Sequence, residues 1–387
     1  MKNRVSTIDV LRSITMFFML FVNDIPGLKG VPQWLFHAAG DEDMLGFSDI
    51  IFPCFLFCVG MSVPLALESR FKKGDTVLQI LTHILVRTFS LVVMGLFTLN
   101  CVSHGVLSTS MFMLLMSIGF IMTWIEGPVF SAHRTMYAAI RGAGALILAA
   151  LLVYADVSGS PFHTGWWGIL GLIGWTYLVV SVVYLFTRKS LKANVVVALA
   201  AILLCVLNNT NIIPQEYFSR CILLPFIPGG WTHHALAFCG VVSTQLILKY
   251  AKDKPYNLIG LFASFANLSV VLGVICHRFW IVSKIYATPT WLFFCLGIFF
   301  CLLIVIFWLT DIKGRSQWFN FLKPAGTATL TCYIVPYVWY ALKGLFGLTL
   351  PDGVYYGITG ILVSLLFSCI VIWIVGFFLK WGVKLKI

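Results

Sequence analysis

Charge is what this sequence has least of. Only 10% of its 387 residues are Asp, Glu, Lys or Arg, against about 25% in an ordinary soluble domain. Acids are scarcer than bases, 14 against 26. No polar stretch is long enough to form a separate soluble domain, so the chain reads as one membrane domain over residues 1–387. Several chemical signatures are missing too. There is no G-x-S-x-G elbow, no P-loop and no dinucleotide fingerprint. No Cys-x-x-Cys spacing occurs, and Cys54, Cys58, Cys205, Cys239, Cys295 and Cys301 lie inside apolar runs. The eleven cysteines therefore suggest buried free thiols, not a disulfide framework or a zinc site. His233 and His234 are adjacent, so they point to different helix faces, and no third ligand accompanies them. No metal is expected.

Apolar residues fill the space that charge leaves. They make up 60% of the chain, and the mean hydropathy is +0.96. Apolar runs fall near 8–25, 47–68, 77–99, 109–125, 135–154, 166–186, 194–208, 231–249, 257–276, 290–310, 325–345 and 354–379. A spanning helix needs about 20 such residues. The expected fold is an all-α, polytopic integral membrane helix bundle with about twelve transmembrane helices, or eleven if the short run 194–208 and the Pro214, Pro225, Pro228 stretch form a re-entrant piece. Asp9 and Arg12 interrupt the first run, and no small-x-small cleavage site follows it, so a retained helix is expected there.

The net charge of +12 does not describe a nucleic-acid surface. Its bases sit in short clusters between apolar runs: Lys2 and Arg4; Arg70, Lys72 and Lys73; Arg188, Lys189 and Lys192; Lys249, Lys252 and Lys254; Lys313 and Arg315; Lys380, Lys384 and Lys386. These clusters occupy alternate loops, the positive-inside pattern, which puts both termini on the cytoplasmic side.

Ionisable groups at membrane depth are expensive and mark function or internal pairing. Asp9 and Arg12 are three residues apart and can touch on one helix face. His83 and Arg87 lie one turn apart on the third helix, with Arg87 near mid-membrane, and Asn100 closes that helix. Arg87 needs a carboxylate, backbone carbonyls or an anionic ligand. The first external loop, about 25–46, contains His37, and four acids follow it: Asp41, Glu42, Asp43 and Asp49. A histidine beside a carboxylate is a tuned general base near neutral pH; a solvated loop histidine fits the same pattern. A second external loop, 277–289, carries His277, Arg278 and Lys284 against the positive-inside trend. Those charges serve a bound anion or are simply isolated loop charges.

Four stretches together resemble one family. RVSTIDVLRSITMFFMLFVND contains Ser6, Asp9, Arg12 and Asn23 in the spacing S-x-D-x-x-R followed by F-V-N. LFHAAGDEDMLGFSDIIFPCFLFCVGMS follows it, then RTFSLVVMGLFTLN from Arg87 to Asn100, and late in the chain DIKGRSQWFNFLKPAGTATLTCY. These are similar to the segments of the heparan-alpha-glucosaminide N-acetyltransferase family of multi-span membrane acetyltransferases. Ser13 stands where that family usually has Gly, no Gln-Arg follows either partial G-V-L match, and residues 109–154 look like an additional helix pair.

The resemblance implies acetyl transfer from cytosolic acetyl-CoA to the amine of a terminal glucosamine-type sugar across the membrane. His37, Asn23 and Asp49 match the family's polar catalytic positions. Arg12, Arg87, Asn100 and Lys313 are the candidates for holding acetyl-CoA, whose phosphates the basic rim attracts. The expected partners are an amino-sugar or glycan acceptor and membrane lipids, and a homodimer is compatible with the sequence. The expected location is a bacterial cytoplasmic membrane, crossed many times. A transporter or flippase of a glycan or lipid carrier, and an O-acyltransferase of another envelope polysaccharide, remain alternatives. The orientation has a direct check. With Lys72→Cys as the sole cysteine, a membrane-impermeant thiol reagent should label the protein from the cytoplasmic side only.

Overall fold

The computed structural model describes residues 6–128, 133–210, 227, 229–349 and 351–387. All twelve apolar runs are helical. In hydrocarbon a helix satisfies its own backbone polar groups, and loops cannot. The helices are α1 (Ser6–Asp24), α2 (Phe47–Lys72), α3 (Val77–Leu99), α4 (Thr109–Trp124), α5 (Arg134–Val157), α6 (Gly168–Thr187) and α7 (Leu191–Asn209), followed by α8 (Thr232–Tyr250), α9 (Pro255–Cys276), α10 (Pro289–Phe307), α11 (Lys323–Thr327), α12 (Thr329–Leu345) and α13 (Gly357–Lys380). The run 325–345 gives two of them because Ala328 leaves helical geometry, at φ −126 and ψ 51. Among the described residues, eight helices are long and apolar enough to cross a membrane: α2, α3, α5, α6, α7, α9, α10 with its π-helical continuation to Ile312, and α13. The short run 194–208 extends into the 19-residue α7, one of those eight. Pro214, Pro225 and Pro228 lie outside the described residues. Of the other five, α4, α11 and α12 are shorter, with 16, 5 and 17 residues.

The chain divides into two compact units. One takes the described parts of Met1–Thr15, Pro32–Phe89 and Leu172–Phe319; the other takes Met16–Val31, Ser90–Gly171 and Asn320–Ile387.

In the first unit, α2 and α8 cross where each presents a glycine. A Cβ on Gly60 would lie 1.8 Å from the carbonyl oxygen of Ala237, and one on Gly240 would lie 2.1 Å from that of Phe57. The backbones touch because neither residue has a side chain, the usual basis of close helix packing in membranes. Thr244 Oγ1 donates to the Met61 carbonyl at 2.8 Å beside this crossing. The start of α1 is capped from a distant segment: Asp311 accepts from the amides of Ser6 at 3.2 Å and Thr7 at 2.9 Å. These are orphan donors that every helix start must place.

In the second unit, α4 and α5 form the expected helix pair. Gly144 faces Met122 and Thr123, and Gly119 faces Leu148, with no room for a Cβ at either glycine. Gly95 of α3 meets Gly171 closely, 2.3 Å from a would-be Cβ to the Gly171 amide nitrogen. Two-residue strands, β1 (Ile125–Glu126) and β2 (Lys384–Leu385), pair antiparallel.

The α2–α8 crossing yields a stability test. Gly60→Ala forces a methyl group into backbone and should cost about 1–3 kcal/mol, the range for overpacking. Gly260→Ala in α9, where a Cβ meets open space, should cost nothing. Thermal unfolding of the detergent-solubilised proteins separates the two.

Candidate active site

The site grows from the first turn of α2 in the first unit. Pro53 has no N–H, so the Asp49 carbonyl, four residues earlier, loses its helical partner. The Trp291 indole of α10 donates to it instead, at 3.2 Å. Ahead of the helix, Gly46 brings two backbones together: a Cβ there would sit 2.1 Å from the Phe36 carbonyl oxygen. Ser48 Oγ donates to the Leu35 carbonyl at 2.7 Å. These contacts fold the loop containing His37 back over the helix start.

The Asp49 side chain is 3% exposed. Its carboxylate has three partners. Oδ2 accepts from the Ala38 amide at 2.9 Å. Oδ1 lies 2.7 Å from His37 Nδ1 and 3.7 Å from Lys284 Nζ. A carboxylate at 2.7 Å requires the proton on Nδ1, which leaves Nε2 of a neutral imidazole as the basic nitrogen. The His37 side chain is 45% exposed, and among the described residues no protein group meets Nε2. Buried carboxylate, fixed tautomer and open Nε2 are the parts of a general base.

Lys284 completes the group. Its Nζ is 3.2 Å from His37 Nδ1, but Nδ1 already carries a proton directed at Asp49, so the ammonium is the counter-ion of the carboxylate. Burial lowers the Lys284 pKa from the ordinary 10.5, and Asp49 opposes that shift. The loop holding Lys284 is clasped to the first loop. Ser283 Oγ donates to the Gly40 carbonyl at 2.8 Å, and the Val282 amide donates to Asp43 Oδ1 at 2.8 Å. His277 Nε2 meets Asp43 Oδ2 at 2.8 Å. The Asp43 carboxyl is held below its ordinary 3.8, chiefly by the Val282 hydrogen bond, with His277 adding to the effect and burial opposing it. At the far end of the loop Thr288 caps α10 by accepting from Trp291 N.

The other candidates lie as follows. Asn23 is exposed in the last turn of α1, within the second unit. Arg12 pairs with Asp9 at 3.0 Å, as the spacing suggested, and donates to Ser62 Oγ at 3.3 Å. Arg87 lies over the Tyr177 ring, 4.9 Å from its centroid; among the described residues its buried Nε has no hydrogen-bond partner. A π face supplies part of what mid-helix charge needs. Asn100, in the second unit, is committed to the chain: its amide nitrogen donates to Leu96 O and His163 O, and its Oδ1 accepts from His163 N. Lys313 is exposed, 5.2 Å from the Trp308 ring centroid. His233 packs edge-on against Phe52 and Trp291.

Sequence reasoning assigned no role at this site to Lys284, Asp43, His277 or Trp291. Two signals pointed to three of them: cations in a loop that should lack them, and a first loop rich in acids.

Residues 4–123 match the family model described as heparan-alpha-glucosaminide N-acetyltransferase, catalytic. That stretch contains His37, Asn23, Asp49, Arg12, Arg87 and Asn100, but not Lys284 or Lys313. The mouse (Mus musculus) heparan-alpha-glucosaminide N-acetyltransferase is 31% identical over 99 residues, and its human (Homo sapiens) counterpart 32% identical over 98. Each alignment covers 25% of this chain and 14% of the relative's length. The resemblance seen in the motifs is thus to this family, and it is carried by the first third of the chain.

The clasp between the two loops can be tested by pH. Because the folded Asp43 carboxyl lies below 3.8, its contribution to stability is complete above that value and is lost as pH falls through the lowered one. Hydrogen–deuterium exchange over residues 277–288 should therefore stay slow down to about pH 4. In Asp43→Ala it should be fast already at neutral pH.

Proposed function

We propose that this protein is a membrane acetyltransferase that moves acetyl from acetyl-CoA to the amine of a terminal glucosamine-type sugar. The observation that carries this reading is the His37–Asp49 pair, with its open Nε2, inside the segment similar to the catalytic model of that family. The sugar amine attacks the thioester carbonyl; His37 Nε2 takes the proton that the amine sheds and returns it to the departing thiolate. Asp49 holds the imidazole in the required tautomer and stabilises the imidazolium, as a carboxylate does beside the histidine of a Ser-His-Asp site. Asn23 is the candidate donor to the developing oxyanion, a role worth about 3–4 kcal/mol where it has been measured.

In this reading acetyl-CoA is a cytosolic substrate, Arg12, Arg87, Asn100 and Lys313 belong to its binding region, and the acceptor lies outside a bacterial cytoplasmic membrane. The orphaned Arg87 Nε supports an anionic ligand near that helix; Asn100, its amide already engaged, is the weakest member of the set.

Purified protein given radiolabelled acetyl-CoA and a panel of amino sugars should produce labelled N-acetyl sugar. His37→Ala should lower turnover by about 100-fold or more while leaving acetyl-CoA binding intact, since base catalysis is usually worth 10²–10⁴-fold. A variant retaining more than about a tenth of wild-type turnover would remove His37 from the role of base.

A further inference from the structure

We propose that the ε-amine of Lys284 is itself an acetyl acceptor, so that the site acetylates its own lysine when acetyl thioester is present without an amine-bearing sugar. This inference rests on the acetyl-transfer reading above. The geometry supplies what an amine nucleophile needs. Nζ stands 3.2 Å from His37 Nδ1 and 3.7 Å from Asp49 Oδ1, and only Cε1 separates Nδ1 from the open Nε2. The side chain is 25% exposed, enough to be reached. Its backbone is fixed on both sides, by Val282 and Ser283 bound to the first loop and by Thr232 Oγ1 donating to Ala287 O at 2.6 Å.

Three titratable groups act on the amine: Asp49 from α2 and Cys295 from α10 through their charge, and His37 from the first loop at 3.2 Å. Asp49 favours the ammonium, and burial favours the free amine by the larger effect. A greater share of Lys284 is therefore unprotonated at a given pH than of an ordinary lysine, the usual way a lysine becomes nucleophilic.

The step balances without a redox partner. The Lys284 nitrogen attacks the thioester carbonyl carbon, an N–C bond forms and the C–S bond breaks. The proton shed by nitrogen passes to the Asp49 carboxylate and ends on sulfur, giving CoA thiol and Nε-acetyl-lysine. The amide is neutral. Asp49 loses its counter-ion, and an acetyl group stands beside His37. Donor without acceptor thus slows the enzyme.

The test incubates the full-length purified protein with acetyl-CoA, with and without glucosamine, and reads acetylation lysine by lysine by peptide mass spectrometry. Without sugar, Lys284 should be acetylated about tenfold faster than the exposed Lys29 and Lys72. Its rate should rise with pH and level off below 10.5. Lys284→Arg should keep its starting turnover through the same pre-incubation, whereas the wild type should lose turnover in proportion to Lys284 acetylation. Selective acetylation of Lys284 with no sugar product supports this inference and overturns the sugar acceptor. Sugar product with Lys284 untouched, or modified no faster than Lys29, overturns this inference alone. Neither product overturns both.

Discussion

A buried carboxylate has to be neutralised, and the arrangement around Asp49 follows from that requirement. Taking an unpaired carboxylate out of water costs several kcal/mol, so its oxygens must be met by donors. The chain meets them with one backbone amide, one imidazole and one ammonium, from Ala38, His37 and Lys284. Each of those groups sits on a loop that other contacts must hold still. Hence the second tier of bonds: Asp43 to Val282 and His277, Ser283 to Gly40, Thr232 to Ala287. Position and tautomer of the His37 imidazole are by-products of solving one electrostatic problem.

The same economy recurs along the first unit. Arg12 is answered by Asp9 and Ser62, and Arg188 by Glu68 and the Phe71 ring 3.6 Å from its guanidinium. Where the backbone is the polar group, the solution is equally local in space. Pro53 orphans the Asp49 carbonyl, and Trp291 repairs it. That repair joins α10 to the turn of α2 that carries the carboxylate, so a defect in helix bonding becomes a fixing point for the site.

Twelve helical segments were legible in the sequence because the length and apolarity of a run are local properties, and so was the Asp9–Arg12 pair, which needs only helix geometry. His37 and Asp49 stood out only through the motif they share with a known family; spacing alone did not show that they meet at 2.7 Å. The split at Ala328 was not legible, because nothing in the run 325–345 interrupts its apolar character. Nor was the commitment of Asn100 to His163, which depends on a loop 63 residues away.

What the sequence by itself determined is the solvent of this protein and its secondary structure: too little charge for water, and apolar runs at lengths that only helices can satisfy in hydrocarbon. What only the tertiary structure decided is which charges meet. Lys284 reaches His37 across 247 positions of chain, and Trp291 reaches the Asp49 carbonyl across 242. A helix is written in the spacing of neighbours, whereas an ion pair between loops depends on how the helices beneath them pack, through contacts such as the Gly60 and Gly240 crossing of α2 and α8.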